Sequence, residues 1–410
     1  MQTQTVLFVG AGRHQRRAIE QARSRGLRVV AVDGDPSAVG LAVADAAEVL
    51  DFRDVEGVID IARRHSLDGV LTISADRAVP VVAAVAEALG LPGIGVETAH
   101  TMTNKVAMRR RLAEAGVPEP KFAAVRTLHE AWAALESVGV PAVLKPADSG
   151  GQRGVFRIES RDDVERHLHA VLYESPTREA ILEEYCDGLE LNGLAVARGG
   201  SVSLVTLSDR LRPPGAGFGV GWIHVYPSSL YADALAEAER VAVSAVAALG
   251  LRDGVAFPQL IALDGRVLVV EVAARVPGGQ MADLARHAAG VDIVEIALKQ
   301  ALGEGVTDDE VRARFSRPLA IRFLTAAPGT LPVGRVRRIG DLAPVLAAPG
   351  VVQADVFLSE GEVIEPVRVD ADRRGYVIAT GRTSLEALEQ AESAARLVEV
   401  DVDGTATAAS

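Results

Sequence analysis

The chain contains 410 residues, 49% of them hydrophobic, which is enough for two to four domains with buried cores. Its 43 Lys and Arg residues face 55 Asp and Glu residues, so the formal net charge of −12 disfavours extended binding to nucleic acid. The single cysteine, Cys186, excludes an intrachain disulfide and a multi-cysteine zinc site. No uncharged apolar segment is long enough to span a membrane, and the first residues lack a secretion-signal pattern. We therefore expect a cytoplasmic protein.

The first 100 residues alternate between strand and helix patterns. Short apolar runs predict buried strands at Thr5–Val9, Leu27–Val32 and Gly69–Ser74. Helical spacing of apolar residues predicts helices at Arg13–Arg25, Val55–His65 and Val79–Leu89. Strands that alternate with helices are typical of a parallel sheet. Residues 1–100 are therefore predicted to form a Rossmann-like α/β domain that ends near Pro92–Thr101.

The turn after the first strand carries part of a dinucleotide-binding pattern. Gly10 and Gly12 precede a helix, and Asp33 ends the next predicted strand. The third glycine of the pattern is replaced by Gln15, which disfavours close packing of the helix on the strand. We interpret this segment as a tight turn that could hold a carboxylate or small anion at its helix N-terminus. A nicotinamide or flavin site is the less favoured alternative.

Residues 101–315 change from an α+β pattern to an antiparallel one. A helix at Lys105–Ala115 precedes a small unit at about residues 116–187, with predicted strands Ala142–Lys145, Val155–Ile158 and Ala180–Glu184 and helix Arg161–Leu172. Beyond it we predict strands Glu190–Arg198, Ser201–Asp209, Gly254–Leu263 and Arg266–Val272 and helix Ala232–Ala248. Residues 316–400 are predicted to form an α+β domain with a final helix Ser384–Ala394, and residues 401–410 a tail that is frayed at Gly404–Ser410.

Two lysines and a glycine-rich loop form a pattern suited to binding phosphate. Lys105 opens its helix, and Lys145 ends a predicted buried strand. The loop that follows includes Gly150, Gly151, Arg153 and Gly154. Backbone N–H groups of such a loop can approach phosphate oxygens without interference from Cβ atoms. A surface lysine, a strand-end lysine and a flexible hairpin are the alternative interpretations, but the order and spacing of the three features favour a phosphate site.

Together with the segment Ile181–Glu190, these features resemble the ATP-grasp superfamily, which includes biotin carboxylase, D-alanine–D-alanine ligase and the amino-acid ligases. The resemblance covers most of the chain. It implies an N-terminal Rossmann-like α/β domain, a small mobile ATP-binding subdomain, a central antiparallel sheet and a C-terminal lid domain. It also implies that Lys105 and Lys145 contact phosphate and that the glycine loop covers the triphosphate. The residues expected at the adenine hinge and the ribose are Glu183, Glu184, Cys186 and Glu190.

The same resemblance implies a magnesium site on two antiparallel strands, where this chain departs from the family pattern twice. Glu271 and Arg275 match a Glu-x-Asn-x-Arg pattern, but Ala273 replaces its asparagine. Gln259 stands where a first metal carboxylate is expected. Mg²⁺ prefers oxygen ligands and is often held by one or two carboxylates plus substrate phosphates. Glu271 and Gln259 are therefore expected to hold one ion together with ATP.

The resemblance implies an enzyme that uses ATP and Mg²⁺ to join a small-molecule carboxylate to an amine through an acyl phosphate. Lys105 and Arg275 are the expected catalytic residues. Arg210, His224 and Arg275, near the loop Pro213–Gly221, are expected to contact amino-acid substrates. A surface loop is the alternative interpretation of the segment around Arg210 and His224.

Two other functions stay open at this point. One is a biotin-carboxylase-like or carboxylate–thiol ligase that uses the same activation step. The other is a non-catalytic ATP-binding protein, suggested by Gln259 and Ala273. The C-terminal domain could support a homodimer, and no nucleic-acid or membrane partner is expected.

Overall fold

The structure is a computed structural model that describes residues 3–212 and 220–403, whose strands form four sheets. A parallel N-terminal sheet and antiparallel sheets beyond it confirm the predicted mixture of α/β and α+β architecture. Most of the loop Pro213–Gly221 and all of the segment Gly404–Ser410 lie outside the described residues. No helix in the described part of the chain has the length and hydropathy needed to cross a membrane.

The N-terminal domain contains a parallel four-stranded sheet. Its strands are β1 (Thr5–Val9), β2 (Arg28–Asp33), β3 (Ala46–Val49) and β4 (Gly69–Leu71), in the order β3-β2-β1-β4. Its helices are α1 (Arg13–Ser24), α2 (Val55–His65), α3 (Val79–Leu89) and α4 (Val96–Thr103). The prediction missed β3, a short edge strand whose residues alternate between partly buried and exposed. It also missed α4, which occupies the segment where the domain was predicted to end.

Side chains of the N-terminal domain close the turn between β1 and α1. The carboxylate of Asp33 accepts hydrogen bonds from the N–H groups of Ala11 (2.7 Å) and Asp35 (3.0 Å). Gln15 is buried and its amide donates to the carbonyl of Ile73. Asp33 and Gln15 are thus engaged within the domain, which supports the interpretation of this segment as a tight turn.

A small subdomain follows helix α5 (Lys105–Glu114), which is capped by the Asn104 side chain. Its antiparallel sheet contains β5 (Phe122–Val125), β6 (Ala142–Pro146), β7 (Phe156–Ile158) and β8 (Ala180–Glu184), in the order β5-β8-β6-β7. Its helices are α6 (Leu128–Val138) and α7 (Arg161–Glu174). The prediction missed β5 and α6, although Thr127 and Glu130 form a capping box at the start of α6.

The central sheet has eight antiparallel strands and extends into the C-terminal region. Its members are β9 (Leu189–Arg198), β10 (Ser201–Leu211), β11 (Ile223–Tyr226), β12 (Gly254–Leu263), β13 (Arg266–Ala273), β14 (Leu319–Phe323), β16 (Val351–Val356) and β18 (Gly375–Thr380). They run in the order β13-β12-β9-β10-β11-β14-β18-β16, so the sheet crosses the boundary predicted near residue 316. The associated helices are α8 (Ala232–Ala248), α9 (Met281–Leu284), α10 (Ile293–Ala301) and α11 (Asp308–Val311).

The C-terminal region adds a small sheet and two helices to the outer strands of the central sheet. The small sheet contains β15 (Gly334–Ile339), β17 (Val363–Ile364) and β19 (Val400–Val402), in the order β17-β15-β19. The helices are α12 (Ala343–Leu346) and α13 (Ser384–Ala395). Because β19 pairs with β15, the predicted tail at 401–410 is wrong for its first residues, which belong to this sheet.

The end of β4 is tied to the loop after β13. Ile73 and Val276 form a β-bridge, and the N–H of Ser74 donates to the carbonyl of Val276 at 2.9 Å. This contact places the segment that follows β4 beside Arg275, at the carboxyl end of a parallel sheet. Ligands of open α/β sheets bind at this end.

Close packing of β4 against α10 provides a test of the fold. A Cβ atom on Gly69 would lie 2.6 Å from the carbonyl oxygen of Ala301, so Gly69→Ala must displace backbone. We expect it to destabilise the protein by about 1–3 kcal/mol, the usual range for overpacking, measured as a lower apparent Tm. Gly305→Ala is the control, because a Cβ there has no heavy atom within 4 Å. Equal Tm values for the two variants would contradict this packing.

Candidate active site

One face of the central sheet presents a row of polar side chains. Gln259 on β12 is paired directly with Glu271 on β13 and with Asn192 on β9. The Gln259 amide donates to Asn192 Oδ1 at 3.4 Å, and Asn192 Nδ2 lies 3.1 Å from His224 Nδ1 on β11. Neutral groups therefore link the predicted metal strands to the predicted substrate residue His224.

Both predicted phosphate-binding lysines are buried near this face. Lys105 Nζ donates to the carbonyl of Ser149 at 2.7 Å and lies 3.5 Å from Glu271 Oε1. Lys145 Nζ lies 2.6 Å from Glu183 Oε2. Each lysine side chain is 9% exposed, so the alternative of a surface lysine is wrong for Lys105, while Lys145 does lie near the end of its strand β6.

Glu183 is shared between two cations. Its other carboxylate oxygen accepts from Arg109 Nε at 2.7 Å, and the Arg109 side chain is 1% exposed. Burial would raise the pKa of Glu183, but the charges and hydrogen bonds of Arg109 and Lys145 outweigh burial and lower the pKa to about 2. Burial lowers the pKa of Lys145, and the charge of Glu183 opposes that effect. The side chain of Glu183 thus balances the charges of both neighbours, and its backbone lies within β8, between β5 and β6.

The glycine-rich loop lies between the lysines and the N-terminal domain. A Cβ atom on Gly150 would be 2.8 Å from Asp76 Oδ2, so the loop backbone approaches this carboxylate closely. Gly151 and Gly154 have φ values of 70° and 68°, a conformation that favours glycine. Arg77 Nη2 donates to Ser149 Oγ at 3.2 Å, so the loop also contacts the N-terminal domain there, and burial followed by the charge of Arg153 lowers the pKa of Arg77.

The predicted hinge and ribose residues lie at the junction of β8 and β9. Cys186 is buried, and burial followed by the charge of Glu184 raises the pKa of its thiol to about 11, so it is not a reactive thiolate. The N–H of Glu184 donates to the carbonyl of Lys121 at 2.9 Å. Glu190 forms ion pairs with Arg210 and, at 2.7 Å, with Arg212. A ribose at Glu190 would therefore meet a carboxylate that is already paired.

Arg275 is held by a residue that the sequence analysis missed. Its Nε and Nη2 atoms donate to the two carboxylate oxygens of Asp76 at 2.7 and 2.9 Å, while its buried Nη1 has no hydrogen-bond partner among the residues that the structure describes. Burial would raise the pKa of Asp76, but the charges of Arg275 and Lys105 lower it below its usual range. Asp76 follows β4 at the carboxyl end of the parallel sheet, a position that could have identified it.

Further cations lie near His224. Arg210 lies between Glu190 and Asp370, whose carboxylate is 3.6 Å from Arg210 Nη2 and 2.8 Å from Arg373 Nη2. Burial, followed by the charges of Arg373 and Arg210, lowers the pKa of His224 well below its usual range. His224 is thus neutral and lies within strand β11, so the alternative of a surface loop is wrong for this residue.

The residues at the predicted metal site fit one hard cation. Within residues 3–212 and 220–403, no group of three or more His, Cys, Asp or Glu side chains converges as a metal site. Glu271 supplies a carboxylate that is 28% exposed, and Gln259 supplies an amide oxygen on the neighbouring strand. This donor set suits Mg²⁺ when substrate phosphates complete the coordination.

A second carboxylate near Arg109, that of Glu119, is expected to make the stability of the protein depend on pH. Burial raises the pKa of Glu119 to about 7, against the opposing charge of Arg109, whose Nη1 lies 3.8 Å from Glu119 Oε2. The folded state therefore binds a proton more tightly than the unfolded state, and stability falls as the pH rises from about 4.5 to about 7. Glu119→Gln should flatten this decline in a series of Tm measurements. Glu114→Gln, whose parent side chain is 67% exposed, should not; identical slopes in both variants would contradict the assignment.

Comparisons with known protein families match three consecutive parts of the chain. Residues 19–93 match the ATP-grasp N-terminal domain, residues 104–308 the ATP-binding domain of the carbamoyl-phosphate synthase L chain, and residues 322–403 the L-amino acid ligase C-terminal domain 2. The second match alone spans half of the chain. It includes both lysines, the glycine loop, the hinge and the strands of the polar face.

Similar proteins cover between 60% and 98% of the chain. A formate-dependent phosphoribosylglycinamide formyltransferase of Ignicoccus hospitalis is 27% identical, over 97% of this chain and 96% of that protein. The alanine–anticapsin ligase of Bacillus subtilis is 28% identical, over 60% of this chain and 56% of that ligase. The crystal structure of an L-amino acid ligase from Bacillus licheniformis has the same fold, with a TM-score of 0.84, 22% identity and coverage of 98% and 100% of the two chains. This chain belongs to the ATP-grasp family of carboxylate–amine ligases, enzymes that use ATP and Mg²⁺ to form carbon–nitrogen bonds.

Proposed function

We propose that this enzyme joins the carboxylate of an amino acid to an amine through an acyl-phosphate intermediate. The observation that carries the proposal is the position of the Asp76–Arg275 ion pair beside the lysine and loop cluster. The Asp76–Arg275 pair, which is suited to a small zwitterion, thus lies next to the lysines and the glycine loop, which are suited to phosphate.

The proposal of a nucleotide site depends on the charges and the backbone geometry of the lysine and loop cluster. Lys105 and Lys145 supply compact cations, and the glycine loop supplies N–H groups for phosphate oxygens. Glu184 and Cys186 would border the adenine through their backbone, and Glu190 would bind the ribose after exchanging one of its arginine partners. Glu271 and Gln259 would hold Mg²⁺, which neutralises charge on the phosphates when it is bound.

The chemistry begins when a substrate carboxylate oxygen attacks the γ-phosphorus, and the bond from that phosphorus to the ADP oxygen breaks. Arg275 has one free Nη1 group that would orient this carboxylate, and Lys105 would offset charge on the transferred phosphoryl group. The amine nitrogen then attacks the acyl carbon, and phosphate leaves with the electron pair of the C–O bond. The proton released from the amine passes to phosphate or water.

Asp76 supports an amino acid as the substrate. Its low pKa keeps it ionised, so it can pair with a substrate ammonium group while Arg275 binds the carboxylate. The match to an L-amino acid ligase domain and the similarity to alanine–anticapsin ligase favour the same substrate class. The formyltransferase relative favours a different carboxylate, formate, as the alternative to test.

A non-catalytic ATP-binding protein is the second candidate. The observation behind it is the neutral pair of Gln259 and Asn192 in place of a metal-binding carboxylate, together with Ala273. Release of ADP separates this candidate from a ligase.

The first test is turnover and its dependence on Mg²⁺. We expect wild-type protein to release ADP and phosphate with pairs from an amino-acid panel, and mass spectrometry to identify the amide product. Glu271→Gln should lower kcat by about 100-fold or more, because it removes the one carboxylate of the proposed metal site. Glu136→Gln, whose parent side chain is 69% exposed on α6, is the matched control. Normal turnover in Glu271→Gln would remove this residue from the mechanism, and no ADP release with any carboxylate, formate included, would favour the non-catalytic candidate.

A second test separates substrate binding from nucleotide binding. Asp76→Asn keeps the size of the side chain but removes its charge, so we expect KM for the amino acid that carries the ammonium group to rise about tenfold or more. KM for ATP should change less than about threefold. Asp60→Asn, at a site 67% exposed on α2, is the control. An equal rise in both KM values would show that Asp76 supports the cleft as a whole and does not bind the amino acid.

A further inference from the structure

Arg109 is a buried cation that the proposed mechanism does not use. Its side chain is 1% exposed, and it donates hydrogen bonds to one carboxylate and two backbone carbonyls. A guanidinium group at this depth is costly to bury unless it is paired and hydrogen-bonded. Its partners therefore indicate what the residue does.

The first partner is Glu183, which also pairs with Lys145. Arg109 Nε lies 2.7 Å from one carboxylate oxygen of Glu183, and Lys145 Nζ lies 2.6 Å from the other. Two cations thus share one anion, and the three side chains carry a net positive charge. If Arg109 were neutral, Glu183 would balance Lys145 completely, and a nucleotide phosphate would compete with an unshared carboxylate for the ammonium group.

The second set of partners lies on β13. Arg109 Nη1 donates to the carbonyl of Val269 at 2.9 Å, and Nη2 donates to the carbonyl of Val270 at 2.7 Å. Glu271 is the next residue on this strand. One side chain on α5 therefore contacts the partner of Lys145 and the backbone that precedes the proposed metal carboxylate. A lysine has no planar set of donors that can reach all three acceptors.

We propose that Arg109 is a positioning residue of the nucleotide site, which keeps Lys145 available to phosphate by sharing the carboxylate of Glu183. The inference rests on the proposed function, because it assumes that Lys145 binds ATP. It assigns no contact between Arg109 and the nucleotide.

The test is a double-mutant cycle on ATP affinity, measured by calorimetry in Mg²⁺ buffer. The variants are Arg109→Met, Lys145→Met and the double variant, and Arg110→Met serves as the control because Arg110 is exposed on the same helix. We expect Arg109→Met to weaken ATP binding about tenfold in the wild-type background and less than about threefold in the Lys145→Met background. A residue with a purely structural role would give the same loss in both backgrounds, and this result would overturn the inference.

If circular dichroism shows that Arg109→Met does not fold, Arg109→Lys takes its place in the double-mutant cycle. The lysine retains the charge beside Glu183 but cannot bond Val269 and Val270 as well. We expect a smaller loss of ATP affinity than in Arg109→Met, about threefold, and again no further loss with Lys145→Met. An equal loss of ATP affinity in both backgrounds would contradict the proposal. If Lys145→Met alone leaves ATP affinity unchanged, the proposed nucleotide site itself is wrong.

Discussion

A carboxylate that loses its hydration on folding must be balanced by positive charge, and Glu183 meets this requirement with two cations from different elements. Lys145 comes from β6 of the small subdomain, whereas Arg109 comes from α5 and also holds the backbone of β13. The buried carboxylate therefore joins the subdomain to the central sheet. Because each partner depends on the other, the charge that is proposed to bind phosphate is a property of the cluster and not of Lys145 alone.

The row of polar side chains on the central sheet is neutral, in contrast to the charged cluster around Glu183. Gln259, Asn192 and His224 are linked by hydrogen bonds, and His224 is held neutral by burial and nearby arginines. This row adds no negative charge beside Glu271. A cation there depends on the phosphates of the nucleotide for much of its coordination, which would couple metal binding to nucleotide binding. The charge of Arg275 lies where the substrate carboxylate is proposed to bind, and Asp76 pairs with it.

The sequence predicted most strands and helices that have a clear apolar pattern, among them the bounds of β1, β8, β12, α2, α3 and α8. The order of Lys105, Lys145 and the glycine loop also predicted that these groups lie close together, as they do in the structure; that they bind phosphate stays a prediction. Asp76 was missed because its role arises from a contact with Arg275, 199 residues away along the chain. Strand β11 was missed because it has four residues and its burial depends on neighbours in a sheet of eight strands. Such roles depend on tertiary packing, which local patterns do not contain.

The continuity of the central sheet has a consequence for exchanging parts between relatives. Strand β14, from the C-terminal region, is hydrogen-bonded directly to β11, which lies before the predicted boundary at residue 316. A chimera joined at that boundary would have to recreate a β-ladder between two parents, whereas the subdomain of β5 to β8 has a sheet of its own. The natural module for recombination is therefore the small subdomain. The half of the enzyme that is proposed to bind substrate can be exchanged only together with the strands of the central sheet that support it.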